Sequence, residues 1–336
     1  MSRAKPRRKD GVRGGSRSPN ALGLNAFEPK RGRTFQRVED NALHPPKGGL
    51  PTFRDWLQWA VKLYAQHGLQ FGQVADSAHD EALYLLLRCL DLPLESGPEI
   101  LKRKIFPAEA PVLMTALRRR IIERVPAGYI TQEAFLGGYR FFVDERVIIP
   151  RSYFVELMPE VESWLPAGTP IKHVVDVCTG SGCLAVLLAK QFPDAKVDAI
   201  DLSPQALEVA AINLKAHRLS RRITLHQSDV FGSVPPVKYD VILSNPPYEP
   251  SALVDRLPAE FQAEPRMALD GGSDGMAIVR RLLAQAKGRL QPHGIVAIEV
   301  GALHDEVNRE FRRHEPHWLR TADSSDCVVV FQAARL

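Results

Sequence analysis

Hydrophobic residues recur with a helical period between residues 51 and 134. In the first such stretch Phe53, Leu57, Ala60, Val61 and Tyr64 fall on one face of a helix. A second helix is predicted over the apolar run 82–87, because Ser77, His79 and Asp80 precede it as capping residues, and a third is predicted within 107–124. The pattern indicates a small helical domain over residues 51–134.

From residue 173 onwards, short β-branched runs alternate with helical stretches. Predicted strands lie at 174–177, 197–201, 223–225, 240–244, 294–300 and 328–331. Predicted helices lie at 183–191, 204–217 and 274–290. Strands that alternate with helices form a parallel sheet covered on both faces, with right-handed crossovers. We therefore expect an α/β domain over residues 151–336.

Residues 135–150 connect these two regions. Asp144 and Glu145 stand between two runs of apolar and β-branched residues, 141–143 and 147–149. Polar turn residues between such runs are typical of a hairpin. We predict a linking β-hairpin over residues 135–150, with its turn at Asp144 and Glu145.

The positive charge of the chain is concentrated at its N-terminus. Residues 1–50 hold 12 Lys and Arg but 4 Asp and Glu, a net charge of +8, so the rest of the chain carries −3. This segment has few large apolar residues and cannot bury enough surface to offset its ordering entropy. We predict a disordered basic tail over residues 1–50. A weak contact with RNA phosphates and a simple solubilising role are both compatible with it.

Several classes of protein are disfavoured by the sequence. No apolar run approaches the length of a membrane span, and no apolar core of a signal peptide follows the basic N-terminus. The four cysteines are scattered without CxxC spacing, which argues against a zinc site and a disulfide framework. We expect a cytoplasmic protein with no metal and no membrane partner.

A glycine-rich loop follows the first predicted strand. Glycine permits a tight turn and a close approach of a ligand to the backbone. Asp201 ends the second strand, where it can accept hydrogen bonds from ribose hydroxyls, and Asp229 follows the third strand, where it can bond an adenine amino group. The predicted cofactor-binding residues are Asp176, Thr179, Gly180, Ser181, Gly182, Asp201, Leu202, Asp229, Val230 and Asn245.

The loop by itself is compatible with two cofactors. Its residues 180–185 also fit the G-x-G-x-x-A pattern of nicotinamide dinucleotide sites. Asp176, four positions before the first glycine, suits the cationic methionine moiety of S-adenosylmethionine better than a pyrophosphate. The residues after the fourth strand also favour a methyl donor, because hydride transfer does not require them.

These residues are Asn245, Pro246, Pro247 and Tyr248. An amide nitrogen is a poor nucleophile, so methyl transfer requires its orientation and the stabilisation of its developing charge. The side-chain oxygen of Asn245 and the carbonyl of Pro246 can accept the two N–H groups of an acceptor. Pro247 stiffens the loop, and Tyr248 offers an aromatic face. The motif predicts a planar NH2 acceptor, which is either an amide or an adenine.

This constellation resembles the class I methyltransferases that modify glutamine side-chain nitrogen, over roughly residues 105–335. Matching residues outside the cofactor loop and the acceptor motif are Gly128-Tyr129-Ile130, Ile149-Pro150-Arg151, Glu264-Pro265, Ala268-Leu269 and Glu299-Val300-Gly301. The resemblance implies a Rossmann-like, mostly parallel seven-stranded sheet and an S-adenosylmethionine cofactor. It also implies that Asn245, Pro246, Pro247 and Tyr248 bind a glutamine amide; Arg151 and Glu156 either line the cleft or form surface ion pairs.

Two branches of this family differ in their protein substrate. One methylates peptide-chain release factors, and the other methylates the large-subunit ribosomal protein L-three. The residues 143–146, Arg151-Ser152 and 257–261 resemble the ribosomal-protein branch, although Tyr153 replaces that branch's usual proline. Adenine methyltransferases share the acceptor motif, but the charge of −3 outside the tail disfavours a nucleic-acid substrate. An alternative function of a different class is that of a non-catalytic scaffold that binds an adenosyl group.

Overall fold

The computed structural model describes residues 43–46, 50–322 and 324–336. The predicted basic tail, residues 1–50, and its RNA contact lie almost wholly outside these described residues. Within the described ranges, no helix is long and apolar enough to cross a membrane. The predicted domain boundaries at residues 51, 135 and 151 stay predictions.

The N-terminal part is helical, as the period predicts. Its helices are α1 Phe53–Gln66, α2 Ala78–Cys89, α3 Ala110–Ile121 and α4 Ala127–Thr131. A reciprocal pair of bonds between Thr52 and Asp55 caps α1, and Ser77 Oγ accepts the backbone N–H of Asp80 at 3.0 Å to cap α2. The third helix is shorter than predicted because Pro111 stands at its start and Arg124 adopts a left-handed φ of +58° just after it.

The predicted hairpin exists, but its turn is elsewhere. Strands β1 Ala134–Leu136 and β2 Tyr139–Phe141 pair antiparallel around Gly137 and Gly138. Both glycines have positive φ, which a two-residue hairpin turn requires. Residues 144–147 do form a turn, in which the Val147 N–H donates to the Asp144 carbonyl at 3.1 Å, but residues 142–150 form no strand, so the prediction that this turn closes the hairpin is wrong.

A seven-stranded sheet forms the C-terminal part, with strand order β5-β4-β3-β6-β7-β9-β8. In chain order its strands are β3 His173–Val177, β4 Lys196–Asp201, β5 Ile223–Gln227, β6 Tyr239–Ser244, β7 Leu290–Glu299, β8 His317–Leu319 and β9 Val328–Gln332. The first five are parallel to one another, and β9 is antiparallel to both β7 and β8. The predicted α/β class with a mostly parallel seven-stranded sheet is confirmed.

Helices cover both faces of this sheet. They are α5 Phe154–Ser163, α6 Cys183–Gln191, α7 Pro204–Ala216, α10 Ala277–Arg289 and α11 His304–Phe311. Two short helices, α8 Ser251–Val254 and α9 Ala259–Gln262, lie in the segment after β6 and belong to a separate cluster with Ile148. Val174 and Val241 pack on the side of α5 and α6, whereas Val175 and Ile242 pack on the side of α10. Burial on both faces explains why the central strands are continuous apolar runs.

The strand order reverses between β3 and β6. The chain moves outwards from β3 through β4 to β5 and then returns to the other side of β3. At such a switch point the loops that leave the carboxyl ends of the two strands diverge, and they leave a crevice between them. The two motifs predicted from the sequence leave β3 and β6 at this point.

Candidate active site

A cavity of about 310 Å³ lies at the carboxyl ends of β3, β4 and β6. Its size is at the lower end of the range for small-molecule sites. The predicted site residues in its wall are Arg151, Thr179, Gly180, Ser181, Asp201, Leu202, Asp229, Val230, Asn245, Pro246, Pro247 and Tyr248. Asp176 and Gly182 do not line it. The structure therefore brings the cofactor loop and the acceptor motif to the same cavity.

The two glycines of the loop have different functions. Both have positive φ, +53° at Gly180 and +78° at Gly182. A Cβ on Gly182 would approach the Cβ of Ala210 to 3.1 Å, so this glycine permits close packing against α7. A Cβ on Gly180 would meet only Ile148, at 3.9 Å, which leaves the cavity side of the loop open to a ligand.

Asp176 lies beneath the loop. It is fully buried, and its Oδ2 accepts the hydroxyl of Thr179 at 2.6 Å, while Oδ1 has no hydrogen-bond partner in the described chain. Burial raises the pKa of this carboxyl to about 7. A cation bound above the loop would favour its ionised form, so the residue fits a site that is completed by a positively charged ligand.

Asp201 and Asp229 differ in how firmly they are held. Asp201 Oδ2 accepts the N–H of Gly180 at 2.8 Å and Oδ1 accepts that of Ser203 at 2.9 Å, which fixes this carboxylate at the cavity wall. Leu202 beside it is 49% exposed. Asp229 instead forms an ion pair with Arg281. Two acidic groups and an apolar side chain at neighbouring strand ends fit the ribose and base of an adenosyl group.

Asn245 immediately follows β6. Its Nδ2 donates to the backbone carbonyl of Arg151 at 3.4 Å. With its NH2 end directed there, Oδ1 of Asn245 forms no hydrogen bond with any described residue, and Asn245 lines the cavity. Pro246, whose backbone carbonyl can act as a second acceptor, lines the same cavity. The pair suits an acceptor that carries two N–H groups.

Arg151 is not part of a surface ion pair. It is 6% exposed, and its guanidinium holds both carboxylate oxygens of Glu264, at 2.8 and 2.7 Å. It also lines the cavity, which agrees with the interpretation of Arg151 as a cleft residue. Glu156 differs, because it accepts the backbone N–H of Ala322 and lies away from the cavity wall.

Comparison with known proteins decides the family. A model of the methyltransferase small domain matches residues 161–315. The ribosomal protein uL3 glutamine methyltransferase of Bordetella pertussis is 43% identical over 288 residues, covering 85% of this chain and 97% of its own length. That of Burkholderia pseudomallei is 42% identical over 293 residues, covering 85% and 95%. The chain belongs to this family.

Membership of the uL3 glutamine methyltransferase family establishes an S-adenosylmethionine-dependent methyltransferase with a class I fold. This membership excludes the nicotinamide cofactor with which the glycine loop alone was also compatible. The prediction of the ribosomal-protein branch is confirmed at the level of the family, since relatives with this name match most of the chain.

Several residues of the methyltransferase cavity were missed in the sequence. Ile148, Ser152 and Glu249 line it, together with residues 267–270 of the segment after the acceptor motif. Glu249 is 7% exposed, and burial raises its pKa. The resemblance marked Glu264-Pro265 and Ala268-Leu269, but no pattern of residue types indicated that this segment folds back over the cavity.

Tyr248 is enclosed by glycines of later segments. A Cβ on Gly301 would approach its ring to 2.5 Å, and a Cβ on Gly275 would approach its carbonyl oxygen to 2.3 Å. Gly301 also has a φ of +54°. These glycines let the segments that follow β6 and β7 pack directly on Tyr248.

Gly301→Ala should therefore displace Tyr248. The new methyl group needs space that the ring occupies, and the positive φ adds backbone strain. We expect kcat to fall by about 10- to 100-fold, as for other small displacements at reacting centres. Initial-rate kinetics checks this. The control is Gly288→Ala in α10, where a Cβ meets nothing within 4 Å; equal rates for both variants would contradict the prediction.

Proposed function

We propose that this methyltransferase methylates the side-chain amide nitrogen of a glutamine in ribosomal protein uL3. The identity of 43% across nearly the whole length of a uL3 glutamine methyltransferase carries the proposal. The acceptor pair formed by Asn245 and Pro246 in the cavity supports it independently, because a primary amide presents two N–H groups in one plane.

In this proposal the chain binds and orients the acceptor. Asn245 Oδ1 and the Pro246 carbonyl accept the two amide N–H groups, which directs the nitrogen and stabilises positive charge developing on it. Pro247 limits the freedom of the loop, and the ring of Tyr248 packs beside the amide plane. S-adenosylmethionine, when bound, supplies the electrophilic methyl group. A strong general base is unnecessary because the proton can leave after the transfer.

The donor would be held by the other half of the cavity. We assign the ribose hydroxyls to Asp201, the adenine to Leu202, Asp229 and Val230, and the methionine moiety to the loop of Thr179, Gly180 and Ser181, with Asp176 beneath it. Gly182 holds this loop against α7. The assignment is supported by the lining of the cavity and by the orphan oxygen of Asp176.

Recognition of the protein that carries the glutamine is assigned to residues 51–134 and the hairpin. This part of the chain is joined to the segment after β6 by polar contacts that are buried or partly buried. Gln73 Nε2 donates to Glu264 at 2.8 Å, and Arg124 bonds Glu260 at 2.8 Å. A protein bound to the helices would thus lie next to the segment that covers the cavity.

The proposed function is tested by mass spectrometry of uL3 from cells that lack the gene and from cells that carry it. We expect one glutamine of uL3 to lose a methyl group in the deletion strain and to regain it when the purified enzyme and S-adenosylmethionine are added. Release factors and RNA adenines are analysed in parallel. The proposal would be refuted if the deletion strain lost methylation of a release factor or of an RNA adenine while the methylation of uL3 stayed the same.

A further inference from the structure

Glu299 is a buried carboxylate next to the acceptor motif. It ends β7, and the parallel pairing of Ser244 with Ile298 sets the following residues, Asn245 and Glu299, side by side at the carboxyl ends of the two strands. The side chain is 0% exposed and does not line the cavity. It therefore lies beside Asn245 but outside the cavity wall.

The two oxygens of this carboxylate have different surroundings. Oε2 accepts the hydroxyl of Ser152 at 2.6 Å and the backbone N–H of Tyr153 at 3.1 Å. Oε1 is fully buried and has no hydrogen-bond partner in the part of the chain that the structure describes. A buried oxygen without a donor costs free energy, so a function is expected where a fold retains one.

The groups around Glu299 indicate which side chain its free oxygen can orient. The Asn245 side chain is near enough to lower the pKa of Glu299, as are Ser152, Tyr153 and the Arg151 guanidinium. Tyr248 also interacts electrostatically with Glu299 and stays neutral, because burial raises its pKa far above 10. Cys327 and Glu249 are further groups near Tyr248. Asn245 is the one among these that carries an amide NH2.

We propose that Glu299 is a positioning residue that fixes the orientation of the Asn245 carboxamide. A carboxamide can rotate by half a turn and then presents NH2 where it presented oxygen. The ionised Glu299 accepts only, so together with the Arg151 carbonyl it favours the orientation in which NH2 points back and Oδ1 points into the cavity. This inference rests on the proposed function, in which Oδ1 binds the acceptor amide.

Protonation of Glu299 reverses this preference. A carboxylic acid has an O–H donor, which favours the Asn245 oxygen as its partner and turns the NH2 towards the acceptor. Burial raises the pKa of Glu299 to about 7, so this change falls within an accessible pH range. The ionised form prevails above that pH, and the rate of methylation should therefore rise as the pH increases through about 7.

Glu299→Gln tests the inference in the full-length enzyme with uL3 as acceptor. We expect a kcat that is lower by about 10- to 100-fold, with little pH dependence around 7, and with an unchanged Kd for S-adenosylhomocysteine by calorimetry. A kcat within about twofold of the wild type, judged against that range, would overturn the inference. So would a pH step that persists, since Asp176, whose pKa is also about 7, would then be its source.

Two further variants separate positioning from folding. Ser152→Ala removes a bond that lowers the pKa of Glu299, so the rise in rate should move to higher pH; an unmoved profile counts against the inference. Asp240→Asn is the matched control, because Asp240 is also a buried carboxylate of this sheet but stands at the opposite end of β6. It should change stability and leave the pH profile as it is.

The wild-type enzyme separates this inference from the proposed function. A wild type that leaves uL3 unmethylated refutes the proposed function, and the inference falls with it. If the wild type methylates uL3 and the Glu299→Gln variant has the same kcat and the same pH profile, only the inference about Glu299 is refuted.

Discussion

Replacement of Asn245 by alanine should reduce kcat by about 100- to 1000-fold, the usual cost of losing one oriented polar group at a reacting centre. The variant loses the side-chain oxygen of Asn245, the cavity residue that the proposal assigns to the acceptor amide. The backbone carbonyl of Pro246 remains, so one N–H is still held while the nitrogen can rotate about that bond. Initial rates with a labelled methyl donor measure the effect.

Donor binding should survive this substitution, although Asn245 was also predicted from the sequence to be a cofactor-binding residue. The groups assigned to the adenosyl part leave β3, β4 and β5, and Asp201 is fixed by backbone N–H groups that do not involve Asn245. Calorimetry with S-adenosylhomocysteine should give a Kd close to that of the wild type. Asn308→Ala in α11, whose side chain bonds Trp318 outside the cavity, serves as control. Near-normal turnover of Asn245→Ala would refute the proposed acceptor contact.

The sheet was predictable because its central strands are buried on both faces. The runs around Val175 and Ile242 are too apolar to be exposed and too short for helices, and the helical stretches between them require parallel pairing. Helix α5 was missed because Pro159 interrupts its pattern, and β8 because it is only three residues long. Local periodicity therefore predicts long or strongly buried elements and fails for short or interrupted ones.

Only those cavity residues that belong to a short sequence motif could be predicted. The glycine loop and residues 245–248 each lie in one short segment that follows a strand, so strand order alone brings them together. The pairing of Arg151 with Glu264 joins residues 113 positions apart. The role of Glu299 depends on register between β6 and β7. No local pattern contains such contacts, because they arise from tertiary packing.

That distant pair has the largest expected effect on stability. Glu264 is fully buried in its side chain, and it accepts two bonds from Arg151 and one from Gln73 of the helical part. Glu264→Ala leaves the guanidinium of Arg151 buried without its counter-charge. Breaking a buried pair in this way costs about 3–5 kcal/mol. We expect urea denaturation to show a loss of this size in the free energy of unfolding.

An exposed pair on the same segment provides the control. Arg266 and Asp255 are both more than half exposed in their side chains, so Asp255→Ala should leave the free energy of unfolding almost unchanged. The double variant Arg151→Met with Glu264→Leu removes both charges and should recover much of the stability that Glu264→Ala loses. If Glu264→Ala were no less stable than Asp255→Ala, the contact would not hold the segment over the cavity. If the double variant were less stable than Glu264→Ala, packing rather than the unpaired charge of Arg151 would explain the loss.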